Sequence, residues 1–553
     1  MPRSPRIVIV GGVAGGASAA ARARRLSEQA EIIVFERGPH VSFANCGLPY
    51  HLGGEIEERS QLLVQTPQSL HARFDIDVRV ETEVVAIDPE AKLVAARDLA
   101  TGKETWERYD ALVLSPGAEP VRPAVPGAGL KGVFTLRNLV DLDAVMAALA
   151  RAGSGRVLVV GAGYVGLELA EQLRRRGLPV TLVEKLTHVL GLADPEMTHP
   201  VQEELVRRGV DLRLGRMVSA FEAEGEALAV WLDDGSRIPC ALAVVGVGVR
   251  PETRLARDAG LAIGSTGGIL VDGQMRTSRP DIFAVGDAVE VRDFVSGDPA
   301  LIPLAGPANR QGRIAADAIF GRPSSYRGTQ GTAVCKVFDL TFAMTGLTET
   351  ALRRKGMAFR RIYVLPQDHA AYYPGAQTIA LKLLFEPGTG CILGAQAVGR
   401  AGVDKRIDVI AVAQRAGLTV FDLEHLELCY APPYGSAKDA VNMAGFVAAN
   451  VLRGDVELWE PEELAALADG QALVDVRTFQ EFAQGTIPGA VCAPVDELRD
   501  RLDDLPRSKE LLVFCRTGLR SYVAARLLAQ HGFKVRSFSG GYLRYAMWAG
   551  TRG

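Results

Sequence analysis

RIVIVGGVAGG, residues 6–16, and RVLVVGAGYVG, residues 156–166, are two copies of one plan. In each, a short apolar run reads as a buried strand that breaks into a glycine turn and opens a helix. The first helix is Ala-rich and is expected to reach about Leu26. A second strand, residues 31–35, then ends in Glu36. The second copy predicts a helix to about Arg176 and a strand over residues 180–183 that ends in Glu184. Strand, glycine turn, helix, strand and acid is the order of a dinucleotide site. The glycines admit a pyrophosphate, the helix N-terminus offers free N–H groups, and the acid accepts from a ribose diol. The first copy departs at one place: Val13 stands where the second glycine belongs. Either the loop takes a slightly different path there or the bound group lies farther from it.

Outward from these repeats, the chain has 553 residues, enough for about three to four domains. With 62 Lys and Arg against 65 Asp and Glu, the net charge of −3 gives no support for nucleic acid or an anionic membrane as partner. Hydrophobic residues at 48% and charged residues at 23% fit a soluble globular protein. The run Ile7 to Val10 is too short for a signal peptide, and no stretch of about 18 apolar residues predicts a membrane span. The seven cysteines, at 46, 240, 335, 391, 429, 492 and 515, are scattered and form no CxxC pair. That argues against a zinc site and a disulfide scaffold, and for a reducing cytoplasm in which a special cysteine acts as a single thiol.

Two dinucleotide units in one chain suggest a flavin and a nicotinamide with a hydride passing between them. YDALVLSPGA, residues 109–118, and RPDIFAVGDA, residues 279–288, each read as a strand running into a small-residue turn. With these motifs the first 450 or so residues resemble the pyridine nucleotide–disulfide oxidoreductases. The resemblance implies that Gly11, Gly15, Gly16, Glu36, Arg37, Ser115, Gly117, Gly286, Asp287 and Ala305 serve FAD, with Asp287 on the ribityl chain. It implies that Gly161, Gly163, Gly166 and Glu184 serve the nicotinamide cofactor. Glu184 favours NADH, because a carboxylate repels the 2′-phosphate of NADPH; Lys185 softens that repulsion and leaves NADPH as the alternative.

From about Gly331 to Asn450, alternating runs over 378–385 and 391–398 predict strands, and 406–416 predicts a helix. This part resembles the dimerisation domain of the same family. A last unit begins near Glu460, with predicted strands over 473–476, 511–514 and 534–538. The strand 511–514 runs into CRTGLRS, residues 515–521, and a helix to about Leu528, which places Cys515 at a helix N-terminus in a nest of backbone N–H groups that favours an anion. With DVR (475–477), IPGA (487–490) and SGGY (539–542), the unit resembles a rhodanese domain. The resemblance implies that Cys515 carries a sulfane sulfur as a persulfide and that Arg516, Thr517, Gly518, Leu519 and Arg520 bind the sulfur donor. The expected architecture is α/β: two Rossmann-like domains, for FAD (1–150 and 265–325) and NAD(P)H (151–264), an α+β dimerisation domain (326–450), a linker (451–459) and a C-terminal α/β rhodanese domain (460–553).

Cys46 lies in VSFANCGLPY, residues 41–50, soon after the first acid. Disulfide reductases of the family carry CxxxxC here, whereas this chain has one cysteine. Its redox partner is therefore an oxygen, as a sulfenic acid, or a small-molecule thiol. The segment is similar to that of coenzyme A disulfide reductases, whose single cysteine forms a mixed disulfide with coenzyme A. That likeness implies coenzyme A contacts at Ser18, Arg22, Arg25, Ser42, Asn45, Arg73 and Lys438. Arg22 and Arg25, at i and i+3 on one helix face, suit the phosphorylated ADP end. It also implies that Tyr372 of HAAYYPGA, with Tyr373 as its neighbouring alternative, and Tyr430 of LCYAPPY come from a partner subunit and assist the leaving thiolate. The whole chain resembles coenzyme A disulfide reductases with a rhodanese tail, or NADH-dependent persulfide and polysulfide reductases. Small-molecule thiols, persulfides or polysulfides are then its partners, and a homodimer its assembly. The alternatives are an NADH oxidase or peroxidase using a Cys46 sulfenic acid, and a non-enzymatic redox sensor or sulfur carrier. Against the peroxidase, Ala14 stands where peroxidases of the family carry a histidine.

Overall fold

Ile7, Val8 and Ile9 are wholly out of solvent in the strand Arg6–Val10, which passes through the glycine turn into the helix Ala14–Leu26. The returning strand Glu31–Phe35 pairs with it in parallel. Strands covered on both faces are apolar throughout, which is why these runs show no alternation. In the computed structural model, which describes residues 4–551, the chain forms two units. The first runs to Val183 and resumes over Arg216–Thr329; the second takes Glu184–Gly215 and continues from Gln330.

In the first unit, one parallel sheet has the order Ile282–Ala284, Ala111–Leu114, Arg6–Val10, Glu31–Phe35, Asp77–Arg79. The second repeat builds a parallel sheet of its own, in which Val157–Val160 lies between Val180–Glu184 and Leu242–Val245. The helix Tyr164–Arg175 follows its glycine turn. The strands read from the 109–118 and 279–288 motifs are shorter than the motifs, and Gly286–Ala288 is a single 3-10 turn.

The two glycine turns follow the same path. Gly11 has φ +93° and Gly161 has φ +99°. A Cβ on Gly16 would lie 1.8 Å from the Gly11 carbonyl oxygen, and one on Gly166 would lie 1.8 Å from that of Gly161. At the position where Val13 replaces glycine, the second repeat's Gly163 has φ −77°, and a Cβ placed there would meet nothing within 4 Å. The backbone there accepts a side chain, so Val13 needs no detour and instead narrows the space in front of the turn.

The second unit contains an antiparallel sheet of order Ala333–Val337, Leu340–Gly346, Ile392–Gly399, Ala380–Phe385, Arg360–Val364. The helices Val403–Arg415 and Ala440–Leu452 contribute Ile407, Ile410, Val441 and Ala444 to the core on its face. Further along, a parallel sheet has the order Leu458–Trp459, Val535–Phe538, Glu510–Phe514, Gln471–Asp475, Val491–Cys492. The end of the stretch read as a linker is thus the first strand of this sheet. Its Trp459 is wholly buried and stacks on Phe538 at 4.3 Å between ring centroids, an apolar contact a solvated linker does not make.

Candidate functional site

A cavity of about 640 Å³ opens at the carboxyl ends of the first sheet, where ligands of open α/β sheets bind. Gly11, Val13, Glu36, Arg37, Ser115 and Gly117 are among its lining residues. Glu36 accepts hydrogen bonds from the Gly12 and Gly38 N–H groups, both at 2.9 Å, which hold its carboxylate at the strand end. A Cβ on Gly11 would meet the Ser115 carbonyl oxygen at 2.1 Å, and one on Gly15 would crowd Val285 and the Ser115 hydroxyl. Bare backbone, an acid and an open helix N-terminus fit the adenosine and pyrophosphate of FAD. Asp287, in the 3-10 turn, receives an Arg137 N–H at 3.1 Å. Arg137 lies 150 positions away and carried no sequence signal. Gly286 donates to Gln311 at 2.7 Å, and Ala305 opens the helix Ala305–Ile319. In the second repeat, Gly161, Gly163 and Gly166 form the turn, and Glu184 closes its strand with its carboxylate accepting the Leu186 N–H at 2.9 Å.

Cys46 is exposed, in the turn Asn45–Gly47 that enters the helix Leu48–Gly53. Asn45 lines the cavity, which puts Cys46 one residue from its wall. Ser42 sits at φ +47°, a strained value for a non-glycine residue, and its N–H donates to the Gly12 carbonyl at 2.9 Å. That bond ties the cysteine segment to the glycine turn. Four residues beyond Cys46, the Tyr50 hydroxyl donates to Glu168 at 3.1 Å. Burial raises the Glu168 carboxyl to about 7, against the Tyr50 hydrogen bond and with the nearby Glu171 charge adding to the rise. Sequence reading missed Glu168, because an acid on a helix shows its burial only after the helix is packed.

The residues implied for coenzyme A are not equally available. Ser18 donates to Asn309 at 2.8 Å. Arg22 is held by Asp317, with two N–H groups at 2.8 and 2.6 Å, while Arg25 is exposed. Arg22 and Arg25 therefore do not form a free pair: one arginine is matched by a carboxylate 295 positions away, and Arg25 alone presents its charge to solvent. Arg73 is exposed in the last turn of the helix Pro67–Phe74. In the second unit, Tyr372 and Tyr430 are joined hydroxyl to hydroxyl at 2.9 Å, with 75% and 48% of their surfaces exposed. The bond to Tyr430 raises the Tyr372 phenol above its ordinary value. Tyr373 instead packs edge-on against His369, and Lys438 is exposed.

Cys515 follows the strand Glu510–Phe514 and lies buried under its own loop, its Sγ accepting the Gly518 N–H at 3.1 Å. Gly518, at φ +111°, caps the helix Leu519–Gln530. Arg516 and Leu519 are exposed at the mouth, and Thr517 is half-buried. Arg520, implied as a contact for the sulfur donor, is already paired with a carboxylate. Two of its N–H groups bind Glu481, each at 2.7 Å, and this pairing pulls the Glu481 carboxyl down to about 2. Arg477 is likewise paired with buried Asp475 and lies 4.4 Å over the Tyr542 ring. Arg516 is therefore the uncommitted cation of the loop.

Residues 5–312 match the family described as pyridine nucleotide-disulphide oxidoreductase. Residues 332–441 match its dimerisation domain, and residues 460–547 the rhodanese-like domain. Coenzyme A disulfide reductase of Staphylococcus aureus is 36% identical over 447 residues, covering 80% of this chain and all of that protein. The crystal structure of reduced Bacillus anthracis CoADR-RHD is similar with a TM-score of 0.96 and 48% identity, over 98% of both chains. An NAD-dependent persulfide reductase from A. fulgidus superposes with a TM-score of 0.92 at 36% identity, over 98% of this chain and 100% of that one. With its two glycine turns, its lone Cys46 and a second cysteine in a loop between strand and helix, this chain belongs to the pyridine nucleotide-disulphide oxidoreductases and is a flavoprotein disulfide oxidoreductase carrying a dimerisation domain and a C-terminal rhodanese domain.

Proposed function

We propose that the protein uses NADH to reduce coenzyme A persulfide, coenzyme A disulfide or polysulfide at Cys46, and that Cys515 collects the sulfane sulfur. The observation that carries this reading is the pairing, in one chain, of an exposed cysteine without a second thiol beside the dinucleotide cavity and a buried cysteine under a donor loop. Gly11, Glu36, Ser115 and Asp287 would hold FAD, which would supply two-electron transfer from nicotinamide to sulfur. The Cys46 thiolate attacks the coenzyme A sulfur of the persulfide. An S–S bond to Cys46 forms, the S–SH bond breaks, and sulfide leaves with its proton. Two electrons then cleave the Cys46–coenzyme A disulfide to the Cys46 thiolate and the coenzyme A thiol, which takes one proton. Tyr372, a phenol hydrogen-bonded to Tyr430, is a proton donor for the departing thiolate of a partner subunit's site. Arg25 and Lys438 present exposed charge for the phosphates. NADH is preferred over NADPH because Glu184 ends the second repeat. Domain limits at 1–150 with 265–325, 151–264 and 326–450, with the rhodanese domain opening at the strand Leu458–Trp459 and not at 460, suit this division of labour.

The test is NADH oxidation with two acceptors in two variants. Cys46→Ser is expected to abolish turnover of both coenzyme A disulfide and polysulfide while FAD stays bound. Cys515→Ser is expected to slow polysulfide turnover and leave coenzyme A disulfide turnover nearly unchanged. Near wild-type turnover in Cys46→Ser sinks the nucleophile assignment. Equal loss on both acceptors in Cys515→Ser sinks the sulfur-collecting role.

A further inference from the structure

Arg360–Val364 is an edge strand, and its Tyr363 has backbone groups that its one neighbouring strand leaves open. A single hydroxyl satisfies both: the Tyr363 N–H donates to Ser539 Oγ at 2.7 Å, and Ser539 Oγ donates to the Tyr363 carbonyl at 2.9 Å. Ser539 opens the SGGY turn of the rhodanese domain, and all these groups are buried. Arg544 lies 3.6 Å from the Tyr363 ring centroid and donates both to the Ser539 carbonyl at 3.3 Å and to Glu460. Glu460 in turn pairs with Arg361 of the same edge strand at 2.9 Å. The Tyr363 hydroxyl is itself fixed, donating to Glu196 at 2.7 Å.

The two glycines after Ser539 face opposite ways. A Cβ on Gly540 would press on Tyr363 Cβ at 3.0 Å and Leu365 at 3.1 Å, whereas one on Gly541 would strike the Cys515 carbonyl oxygen at 2.4 Å. Both have positive φ, +80° and +59°. Immediately beyond, the Tyr542 N–H donates to the Cys515 carbonyl at 2.7 Å and the Leu543 N–H to the Arg516 carbonyl at 3.1 Å. Five consecutive residues, 539–543, thus run from the edge of the dimerisation sheet to the backbone of the sulfur loop, with glycine at each close approach.

We propose that Ser539, Arg544 and Tyr363 are positioning residues for sulfur transfer: they form a strap by which the dimerisation domain aims the Cys515 loop. This deepens, and rests on, the reading of Cys515 as the sulfur carrier. The strap sets the carbonyls of Cys515 and Arg516, and through them the Gly518 N–H that faces Sγ. None of its three residues touches the transferred sulfur.

The experiment uses the full-length flavoprotein and Ser539→Ala, which removes both hydroxyl bonds with almost no change of volume. Thiosulfate is the sulfur donor and cyanide the acceptor, and amide hydrogen exchange is followed by residue. Expected is a loss of about tenfold or more in kcat, the scale on which misplacement of reacting groups acts, with KM changed by less than about twofold. The Tyr542 and Leu543 amides should exchange at least about tenfold faster, while amides of the strand Glu510–Phe514 and the flavin absorbance stay as in the wild type. Wild-type kcat and wild-type exchange at Tyr542 and Leu543 overturn the strap. So does faster exchange spread evenly over the rhodanese domain, which makes Ser539 a support of the domain and not of the loop. If Ser539→Ala does not fold, Arg544→Lys, which keeps the charge for Glu460 and loses the planar stack, is read the same way. If the wild type transfers no sulfur from thiosulfate, polysulfide or persulfide, the function assigned to Cys515 fails, and exchange at Tyr542 and Leu543 alone decides the strap.

Discussion

Glu168 is the residue whose chemistry departs furthest from what its type implies near the Cys46 segment. Burial pushes its carboxyl up to about 7 from an ordinary value of 4.5. Between those two values the folded state holds a proton that the unfolded chain has already released. Stability contributed by the neutral form is therefore complete below the ordinary glutamate range and is lost as pH rises towards 7, on the order of 3 kcal/mol at most. Glu168→Gln cannot ionise and should flatten that slope. Thermal midpoints at pH 5 and pH 8 check it: the difference between the two should shrink in the variant, and an unchanged difference places the titrating proton elsewhere. The same residue scale shows where charge was read too generously. Arg22 and Arg520 each resemble free phosphate- or sulfur-binding cations in the sequence, yet each is spent on a carboxylate, Asp317 and Glu481.

At the scale of elements, the strand Ala380–Phe385 shows how one residue against pattern organises its neighbours. Every position is buried, Lys382 included, with no exposure at all. Its ammonium lies 2.8 Å from Asp194, 2.6 Å from Glu196 and 2.8 Å from Glu349. Asp194 and Glu196 come from the start of the helix Pro195–Arg207, and Glu349 opens the helix Glu349–Lys355. Three carboxylates this close would suit a metal ion, but the lysine ammonium already lies among them. Against the cost of burial, the Lys382 charge holds the Asp194 carboxyl below its ordinary value and the Glu349 carboxyl well below the usual carboxylate range. Removing only the cation leaves the buried Asp194 carboxylate without its counter-ion, while Glu349 keeps Arg361, and breaking such a buried pair typically costs about 3–5 kcal/mol. Lys382→Met should accordingly lower the thermal midpoint by several degrees, and a midpoint equal to the wild type's would mean the pocket neutralises itself by other means.

At the scale of the whole molecule, subunit exchange tests the proposal that the exposed Tyr372–Tyr430 pair completes a partner subunit's site. Each single variant, Tyr372→Phe or Tyr430→Phe, should lose turnover by roughly 10²-fold at most. Cys46→Ser and Tyr430→Phe homodimers, each impaired, should regain one working site when subunits are exchanged, read as recovered NADH oxidation with coenzyme A disulfide. No recovery in fully exchanged heterodimers removes the shared site. Among the described residues no helix is long and apolar enough to cross a membrane.

Periodicity and turn chemistry by themselves determined the two strand–turn–helix repeats, the first helix ending near Leu26 and the Cys515 loop at a helix start. These are local features: a helix or a pleat repeats its pattern within a window of a dozen residues, so its apolar face is visible in the chain. Only the tertiary structure decided which charges are free and what holds each loop. Arg137 meets Asp287 across 150 positions, Arg22 meets Asp317 across 295, and Ser539 meets the Tyr363 backbone across 176. Such partners are chosen by which faces pack together, and no residue type announces them. Val13 teaches the same point in reverse. It looks like a defect in a glycine fingerprint, but the fold gives that position an ordinary φ and room for a side chain, so the repeat survives the substitution.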